Sequence, residues 1–420
     1  MEQKTEFEVI IVGAGPSGLA AALTLLEEGI SDIIVMERFT FPRYKCCAGY
    51  ITGKTKAVYE TFGLNIEEVH YSLIKEFNIF YRLKKRQTIA NQFLYTNRMI
   101  DRVELDNAFA ELAKSKGIRI KENTTISEHD ADKKELKLSN GERLTYQKII
   151  FADGTSGFGS RLQPDRKKNI AMQLVFPHVA PEEIQIHFGM TKRGYGWVSS
   201  YGGFTNVGLT DVFDKSVNYH EIFADFMKKL GLQADMSRLR GAFTPMEIGE
   251  GKVGEDVYFV GDAVGACDPM TLSGLRYSLD SGRLCAEAIA RKDDCLYFAC
   301  IRKMKKKFAA LALSGAMAFS GLAGIVALGV SAEAGTDEKV IKAVTGGGDK
   351  GFVTETEWNT AYEHAMTGAN TGSVKLATVG TNLYFRMIVT DTTKFTGKDR
   401  IAYKITVGGT TADIQGNYDP

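Results

Sequence analysis

The chain has 420 residues, of which 44% are hydrophobic and 25% are charged, and its formal net charge is +1. A chain of this length can bury a large core in two or three domains, and its near-neutral charge gives no reason to expect a nucleic-acid partner. The six cysteines lack metal-ligand spacing and do not form the pattern of a disulfide-rich secreted domain, so we expect reduced thiols and no metal site.

The first predicted element is a β-strand over residues 7–12 that runs into a glycine-rich turn. The turn reads Gly13-Ala14-Gly15-Pro16-Ser17-Gly18, and a helix is predicted from Pro16 to Glu28. In such a turn the first glycine permits a tight bend, the second lets the backbone approach a pyrophosphate, and the third lets helix pack on strand. The free N–H groups of the helix N-terminus would face the phosphates. This pattern indicates a dinucleotide site.

The second predicted strand, residues 32–37, ends in an acidic side chain. Glu37 follows Gly18 by 19 residues, which suits a hydrogen bond to the adenosine ribose. Further along, a helix is predicted over 103–116, a hairpin over 134–146 with a type I′ turn at Asn140-Gly141, and a buried strand over 148–152. That strand ends at Asp153-Gly154.

Residues 168–211 look β-rich, with strands predicted at 170–176, 184–188, 197–201 and 205–209. They predict a second sheet inserted into the nucleotide-binding domain, and a helix at about 218–230 follows.

A second strand end then returns the chain to the first domain. The strand 256–260 runs into Gly261-Asp262-Ala263, and Ser273-Gly274-Leu275 opens a helix that reaches about Arg291. An aspartate at such a strand end can contact a ribityl chain, and the positive end of the helix would stabilise negative charge on reduced flavin. The two strand ends together favour FAD over NAD. Because no second glycine fingerprint occurs, the electron donor, NAD(P)H or a small redox protein, is expected to dock transiently.

Residues 1 to about 300 resemble the geranylgeranyl reductase family of flavoproteins, which have the p-hydroxybenzoate hydroxylase type of fold. The resemblance rests on five segments: 13–18, 42–49, Arg102 with Asp106, 152–154, and 261–274. It implies bound FAD and hydride transfer from reduced flavin to C=C bonds of an isoprenoid or other apolar, lipid-like substrate. The expected cofactor-binding residues are Gly13, Gly15, Pro16, Ser17, Gly18, Glu37, Arg38, Arg102, Asp153, Gly154, Gly261, Asp262, Pro269, Gly274 and Leu275.

The family pattern also singles out three candidate catalytic residues, Cys47, Tyr195 and Trp197. Cys47 stands where the family has a flavin-side cysteine, but Ala48 and Tyr50 replace family glycines. Tyr195 and Trp197 keep the first half of the family's aromatic substrate motif, while residues 199–200 are two serines in place of Phe-Pro. A dithiol role for Cys46 with Cys47, and an ordinary sheet-core role for the two aromatics, stay open.

An unusual segment begins near residue 302. A basic run (302–307) precedes an uncharged apolar stretch (308–330) and a small-residue pattern (331–334), which is the order of a secretory signal, here far inside the chain. Three interpretations compete: a membrane-spanning helix, a buried helical hairpin, or two joined genes whose second part carries a signal. The domain boundaries that follow are 1–303 for the FAD-binding domain with a β-rich substrate insertion at about 168–245, 304–334 for the signal-like or transmembrane segment, and 335–420.

The last 86 residues have alternating runs rich in Thr and Gly at 373–377, 383–389 and 401–407. They predict a small all-β, sandwich-like domain. Residues 357–361, 374–376 and 383–391 resemble family 9 carbohydrate-binding modules, which implies sugar binding on exposed aromatic side chains.

The expected fold is therefore an α/β FAD-binding Rossmann-like domain with an inserted β-rich substrate domain, a signal-like apolar helix and a small β domain. The expected function is an FAD-dependent reductase. The alternatives are a flavin monooxygenase or halogenase of the same fold, and a fusion whose exported part is a binding module. Residues 1–303 are expected in the cytoplasm or at a membrane, and residues 335–420 outside the cytoplasm.

Overall fold

The computed structural model describes residues 4–89, 96–178, 183–320, 362–366, 371–379, 382–390, 400–407 and 410–417. The chain divides into two compact units, residues 1–324 and 325–420.

The helices are α1 (Pro16–Glu27), α2 (Gly53–Thr61), α3 (Arg102–Ser115), α4 (Phe158–Arg161), α5 (Tyr219–Lys229), α6 (Leu275–Arg291) and α7 (Cys295–Ser320). The strands of the first unit are β1 (Glu6–Val12), β2 (Ile33–Met36), β3 (Tyr50–Ile51), β4 (Tyr71–Leu73), β5 (Glu76–Tyr81), β6 (Lys84–Ile89), β7 (Arg98–Ile100), β8 (Arg119–Lys121), β9 (Ile126–Asp130), β10 (Glu135–Leu138), β11 (Arg143–Phe151), β12 (Lys168–Pro177), β13 (Glu183–Phe188), β14 (Tyr195–Tyr201), β15 (Phe204–Val212), β16 (Arg240–Pro245), β17 (Lys252–Val253) and β18 (Val257–Phe259).

The first sheet, called here the nucleotide sheet, has the strand order β17-β18-β11-β1-β2-β8, with β10 and β9 added beside β11. Strands β18, β11, β1, β2 and β8 are parallel, as helical crossovers require. The apolar runs that end β1 (residues 9–12) and β11 (residues 149–151) suit strands covered on both sides. This architecture confirms the predicted Rossmann-like α/β fold.

Two of the helices on this sheet cross in very close contact. A Cβ atom placed on Gly282 of α6 would lie 2.1 Å from the carbonyl oxygen of Ser17 in α1. Since only glycine leaves room for this approach, Gly282 fixes α6 against the N-terminal turn of α1. The two flavin motifs predicted from the sequence are therefore held together by helix packing.

The second sheet, called the substrate sheet, has the order β16-β12-β15-β14-β13-β5-β6. The four strands predicted within residues 168–211 are all present, as β12 to β15. Strands β5 and β6 were not predicted. They lie outside the predicted insertion and join the sheet through parallel pairing of β5 with β13, a contact between segments about 100 residues apart.

The type I′ turn predicted at Asn140-Gly141, between β10 and β11 of the nucleotide sheet, is wrong. Gly141 has φ +91°, whereas Asn140 is not among the residues with positive φ, and Gly141 N–H bonds to the Leu138 carbonyl, so the loop is a three-residue turn.

The two faces of the substrate sheet differ in what they contact. Val198, Val207 and Leu209 pack on one side against α5. Because side chains alternate along a strand, Tyr195, Trp197, Ser199 and Tyr201 lie on the other side. Hydrogen bonds from that side reach loops of the nucleotide sheet, and we call it the inner face. The inner face and the ends of the nucleotide strands together enclose the candidate site.

Helix α7 belongs to the first unit at least as far as Phe308. Tyr297, Ile301, Met304 and Phe308 are buried in the main core cluster at helical spacing, and the Tyr297 hydroxyl bonds to the Phe259 carbonyl. The helix runs without a break across residue 303, where the sequence predicts a boundary. In the described part of the chain we find no helix long and apolar enough to span a membrane. The predicted signal-like segment lies outside the described residues beyond Ser320.

In the second unit the described strands are β19 (Tyr362–Met366), β20 (Thr371–Val379), β21 (Asn382–Thr390), β22 (Arg400–Val407) and β23 (Thr410–Asn417). The first three form an antiparallel sheet, and the last two form a hairpin. They include the three predicted strand runs. The sandwich-like arrangement and the likeness to carbohydrate-binding modules stay predictions, and residues 357–361 lie outside the described residues.

Candidate active site

The glycine-rich turn has the geometry that a bound pyrophosphate needs. Gly13 has φ +106°, and a Cβ on it would lie 2.5 Å from the Ala152 carbonyl oxygen. A Cβ on Gly18 would lie 1.9 Å from the Gly13 carbonyl oxygen, so the third glycine is required for the turn itself. At Gly15 the nearest atom is 3.9 Å away, which leaves open space beside the N-terminus of α1. That helix starts with Pro16 and has no side-chain cap, so its N–H groups are available to an anion.

The acidic residue predicted to bind ribose lies beside this turn. Glu37 is buried, and its carboxylate accepts hydrogen bonds from the N–H groups of Ala14 and Phe39 at 3.2 and 3.1 Å. Arg43 approaches the same carboxylate, with its Nε 3.3 Å from Oε2 of Glu37. Glu37 is therefore fixed at the fingerprint by backbone donors and by one cation.

Arg43 links this region to a second ion pair. Its Nη2 donates to the Ala14 carbonyl at 3.3 Å, and its Nη1 donates to Asp106 at 3.2 Å. Arg102 holds the same Asp106 through two hydrogen bonds of 2.8 and 3.0 Å. Burial opposes the charged form of Arg102, but the charges of Asp106 and Cys47 raise its pKa well above the ordinary value. Two guanidinium groups thus lie between the fingerprint and the Cys47 loop, and both are bonded to the carboxylate of Asp106.

The second motif contacts the first directly. Gly261 has φ +61°, and a Cβ on it would lie 2.4 Å from Oγ of Ser17. Helix α6 begins at Leu275 with Gly274 before it and no side-chain cap, so its N-terminus is open. Asp262 Oδ1 lies 3.5 Å from the position of a Cβ on Gly274. A carboxylate and an uncapped N-terminus of a 17-residue helix are therefore adjacent, as the prediction for the ribityl chain and flavin ring requires.

Asp153 has a structural role that the sequence did not indicate. Its Oδ2 accepts a hydrogen bond from the N–H of Gly159, in the first turn of α4, at 2.8 Å. Its Oδ1 is buried and finds no hydrogen-bond partner among the described residues. Burial raises the pKa of Asp153 to about 6, and the charge of Arg38 opposes this shift. Gly154 follows with φ +80° and open space around it, while Arg38 is exposed and stacks over Phe39.

The loop that carries the two thiols joins the nucleotide sheet to the inner face. Cys46 Sγ points to the Ala171 carbonyl, and Cys47 Sγ accepts from the N–H of Gly49 at 3.4 Å. The pKa of Cys46 is raised to about 11, mainly by burial and in smaller part by the charge of Cys47. Cys46 is therefore a neutral thiol near pH 7 and a poor nucleophile, which disfavours a Cys46–Cys47 dithiol.

The two departures from the family's glycines fit this loop. Gly49, which remains, has φ +83°, and a Cβ on it would lie 2.1 Å from the Ile100 carbonyl oxygen. Ala48 and Tyr50 instead pack against the small core cluster around Ile74, and Tyr50 OH accepts from Asn97 at 2.9 Å. The position that needs glycine has kept it, and the replaced positions face packed side chains.

Tyr195 and Trp197 both lie on the inner face, but their polar atoms are already engaged. Tyr195 OH donates to the Thr271 carbonyl at 2.9 Å, and burial raises its pKa far above the ordinary value. Trp197 N–H donates to Asn206 at 3.1 Å, and the indole lies against Gly208, where a Cβ would be 1.9 Å from the ring. In this arrangement neither side chain has a free proton to give. Both are better described as positioning residues and apolar wall.

Four residues of the site were absent from the list of expected site residues: Arg43, Asp106, Gln173 and Asn206. Gln173 donates to Tyr44 OH at 2.8 Å, and Asn206 donates to the Cys47 carbonyl at 3.4 Å. Asn169 likewise bonds to the carbonyl of Pro269, one of the predicted cofactor contacts. Polar residues at alternate positions of β12 were the available signal, because an apolar core strand would not need them.

The comparisons with known proteins concern the cofactor and the family resemblance. Residues 6–163 match the family model described as an FAD binding domain. An uncharacterized protein of Methanosarcina barkeri is 27% identical over 300 residues, which cover 68% of this chain and 75% of the relative. Menaquinone reductase of Mycobacterium tuberculosis is 24% identical over 319 residues, which cover 68% of this chain and 77% of that relative. Digeranylgeranylglycerophospholipid reductase of Methanosarcina mazei is 25% identical over 309 residues, which cover 68% of this chain and 75% of that relative.

Solved structures share the fold. A geranylgeranyl bacteriochlorophyll reductase-like protein of Thermoplasma acidophilum has a TM-score of 0.60 at 18% identity and covers 76% of this chain and 88% of its own. A flavin-dependent brominase has a TM-score of 0.60 at 18% identity, and the match covers 74% of this chain and 90% of the brominase. The family match and the relatives confirm FAD as the cofactor and the resemblance to the geranylgeranyl reductase family.

Proposed function

We propose that this FAD-dependent oxidoreductase reduces C=C bonds of an isoprenoid or similar lipid-like substrate bound on the inner face of the substrate sheet. The observation that carries the proposal is the composition of that face. Ile184, Ile186 and Trp197 line it with apolar surface, and two cofactor-side loops are hydrogen-bonded to it. The names of two relatives, a menaquinone reductase and a digeranylgeranylglycerophospholipid reductase, support a substrate of this class.

When bound, FAD supplies the reducing equivalents for the reaction. The residues that would hold it are the turn at Gly13–Gly18, Glu37 and Arg102 on one side, and Asp262 and the open end of α6 on the other. Glu37 and Arg102 are buried, which strengthens their electrostatic interactions. The apolar inner face then orients the alkene toward the same space.

Reduction of an isolated alkene adds a hydride to one carbon and a proton to the other. We propose the Cys47 thiol as the proton source, because the protons of Tyr195 OH and Trp197 N–H are committed to other acceptors. Negative charge left on Cys47 Sγ would be balanced by the hydrogen bond from Gly49 N–H and by Arg102, whose pKa responds to the Cys47 charge. Solvent would restore the proton after each turnover.

The electron donor belongs to the same proposal. The sequence has one dinucleotide fingerprint, at Gly13–Gly18, and in this proposal FAD uses it. A nicotinamide or a small redox protein therefore docks transiently. We propose that residues 1–303 act where a lipid-like substrate is found, in the cytoplasm or at a membrane surface. Fractionation of cells, with an antibody against this unit, tests the location.

The test of function is anaerobic turnover of the purified, chemically reduced protein with menaquinol, whose ring is already reduced, and with an unsaturated geranylgeranyl ether lipid. We expect product mass to rise by 2 Da for each reduced double bond, with reoxidation of the flavin. A parallel assay in air tests the alternative: protein that carries flavin and reduces neither lipid, but consumes oxygen when substrate is added, would favour a monooxygenase.

A further inference from the structure

The hairpin of β5 and β6, at the edge of the substrate sheet, carries exposed cations around an exposed aromatic ring. Its tip, called here the basic tip, contains the cations Arg82, Lys84, Lys85 and Arg86. Tyr81, beside them, is 41% exposed. The guanidinium carbons of Arg82 and Arg86 lie 5.5 and 5.9 Å from the centre of the Tyr81 ring. Lys84 pairs with Tyr81 across the hairpin, so three of the cations border one ring.

The cations of the basic tip form no ion pair with any described residue. The hairpin of β9 and β10 differs in this respect, because its lysines are paired. Lys133 Nζ lies 3.0 Å from the carboxylate of Asp130, and Lys137 Nζ lies 2.7 Å from that of Glu128. The basic tip thus keeps uncompensated positive charge, which attracts an anionic partner.

The loop between β13 and β14 lies beside the basic tip and adds two more cations. A Cβ on Gly189, at the start of this loop, would lie 3.0 Å from Cγ of Arg82. Lys192 and Arg193 follow, and both are exposed. Their backbone N–H groups donate to the Asp211 carboxylate at 3.2 and 2.9 Å, which fixes the loop. Positive charge therefore extends from the basic tip along this end of the sheet.

A row of aromatic side chains leads from the basic tip into the site. Tyr81 pairs with Phe188, and Phe188 pairs with Tyr195, so all three lie on the inner face. The ring centres of Phe188 and Tyr195 are 5.9 Å apart, and those of Tyr195 and Trp197 are 6.4 Å apart. Exposure falls along the row from 41% at Tyr81 to 6% at Trp197. The row therefore connects the solvent at the basic tip with the inner face.

We propose that the basic tip docks on an anionic lipid bilayer, with Tyr81 at the level of the headgroups. The proposal deepens the proposed function and rests on it for the presence of a lipid-like substrate in that bilayer. Lipid phosphates would pair with the cations, and tyrosine suits an interface that is apolar on one side and wet on the other. An acidic redox protein would also match the charge, but it would make no use of the aromatic row. The row therefore favours the bilayer.

The chain offers a matched control for the charge. Lys84→Gln with Arg86→Gln neutralises two cations of the basic tip. Arg302→Gln with Lys303→Gln neutralises one arginine and one lysine that are exposed on α7, in the basic run at 302–307. Both double variants change the net charge equally, and none of the four side chains forms an ion pair with a described residue. Both are therefore expected to fold and to retain FAD.

The experiment is equilibrium binding of the FAD-loaded full chain to vesicles, measured by co-sedimentation. Vesicles of phosphatidylcholine are compared with vesicles of phosphatidylcholine and phosphatidylglycerol in equal parts. Apolar contacts elsewhere in the chain act on both kinds alike, so the ratio of the two affinities reports on charge. We expect wild type and the α7 variant to prefer the anionic vesicles by at least about 30-fold. The Lys84→Gln, Arg86→Gln variant should lose about 30-fold of this preference, about 5-fold for each cation, and added salt should weaken it in all three proteins.

Equal affinity of wild-type protein for the two kinds of vesicle would overturn the proposal. So would a loss in the α7 variant as large as that in the Lys84→Gln, Arg86→Gln variant, because the preference would then follow total charge or α7. Equal vesicle affinities together with salt-sensitive binding of an acidic flavodoxin would assign the basic tip to a redox protein instead.

Turnover separates the docking surface from the reaction. With substrate in anionic vesicles, the Lys84→Gln, Arg86→Gln variant should work more slowly than wild type, whereas with substrate dispersed in a neutral detergent the two proteins should be equal. If vesicle binding depends on the basic tip but no C=C bond is reduced in either medium, the docking surface stands and the proposed reaction fails. If lipid is reduced in detergent while vesicle binding ignores lipid charge, the reaction stands and the docking surface is overturned.

Discussion

Trp197 and Asn206 form a hydrogen bond of 3.1 Å that continues, through the amide of Asn206, to the carbonyl of Cys47. One side chain thus connects the inner face to the loop that carries the candidate proton donor. The first prediction follows from the fact that the two ends of this connection can be broken separately.

Asn206→Ala leaves both Trp197 N–H and the Cys47 carbonyl without their partner, whereas Trp197→Phe removes one donor and keeps an aromatic ring. We expect Asn206→Ala to lower the free energy of unfolding by about 2–3 kcal/mol and Trp197→Phe by about 1 kcal/mol, because buried polar groups left unpaired are costly. Urea unfolding of the holoprotein measures both. Turnover should fall more in Asn206→Ala than its FAD content does; equal effects of the two variants would show that the link to Cys47 contributes nothing.

Gly15→Ala should separate cofactor binding from folding. Its φ of −79° suits alanine, and the nearest atom to the new Cβ is 3.9 Å away. The fold should therefore survive, but the methyl group would occupy the space where the backbone approaches the pyrophosphate. We expect FAD affinity to fall at least about 10-fold, which corresponds to about 1.4 kcal/mol, as measured by titration of the flavin-free protein.

The matched control for that variant is Gly241→Ala on the edge strand β16, where an added Cβ meets its nearest atom at 3.5 Å. It should bind FAD like wild type. Gly18→Ala provides the opposite case, because its Cβ would lie 1.9 Å from a backbone oxygen. We expect that variant to fail in folding as well as in binding. A Gly15→Ala protein with unchanged FAD affinity would mean that the cofactor does not approach this turn.

The contrast between Gly15 and Asn206 shows how far the sequence could predict this site. The fingerprint glycines, Glu37 and Asp262 lie within short local motifs whose spacing is fixed by strand, turn and helix, so their roles could be inferred from the sequence. Asn206 and Gln173 bond to partners 159 and 129 residues away, which only the packing of the substrate sheet against the Cys47 loop brings into reach. Arg43 bonds to Ala14, 29 residues away, across the nucleotide-binding part of the chain. Strand β5 was missed for the same reason, since its partner β13 is far along the chain.

His187 should make the protein less stable in acid. It lies buried between Phe80 and Phe226, and burial lowers its pKa to about 4 from the ordinary 6.5. As the pH falls below 6.5, the unfolded chain takes up the proton first. The stability contributed by the neutral side chain is therefore full above pH 6.5 and is lost progressively down to about pH 4. The total loss is about 3 kcal/mol.

The measurement is the urea midpoint of wild-type protein and of His187→Phe between pH 4 and pH 8. The variant cannot titrate at this position. The urea midpoint of wild type minus that of the variant should therefore decrease as the pH falls from 6.5 to 4. Asp153, whose pKa burial raises to about 6, contributes in the opposite direction, but it is present in both proteins and cancels in the difference. Parallel curves would show that His187 is not buried in the neutral form.

The last prediction concerns where the FAD-binding unit ends. Tyr297 is fully buried and, with Ile301, Met304 and Phe308, covers the core through one face of α7. A chain shortened to residues 1–320 should fold and bind FAD, whereas one shortened to residues 1–294 would expose that core and should be insoluble or flavin-free. Flavin absorbance of the two purified chains is the readout. If the shorter chain bound FAD as well as the longer one, α7 would be dispensable and the boundary would lie before it.

Tyr297→Ala in the full chain gives an independent measure of this packing. We expect it to lower the free energy of unfolding by about 3–5 kcal/mol, because it deletes a large buried aromatic side chain. Because this packing includes Met304 and Phe308, the basic run from residue 302 lies on a helix that is part of the folded FAD unit.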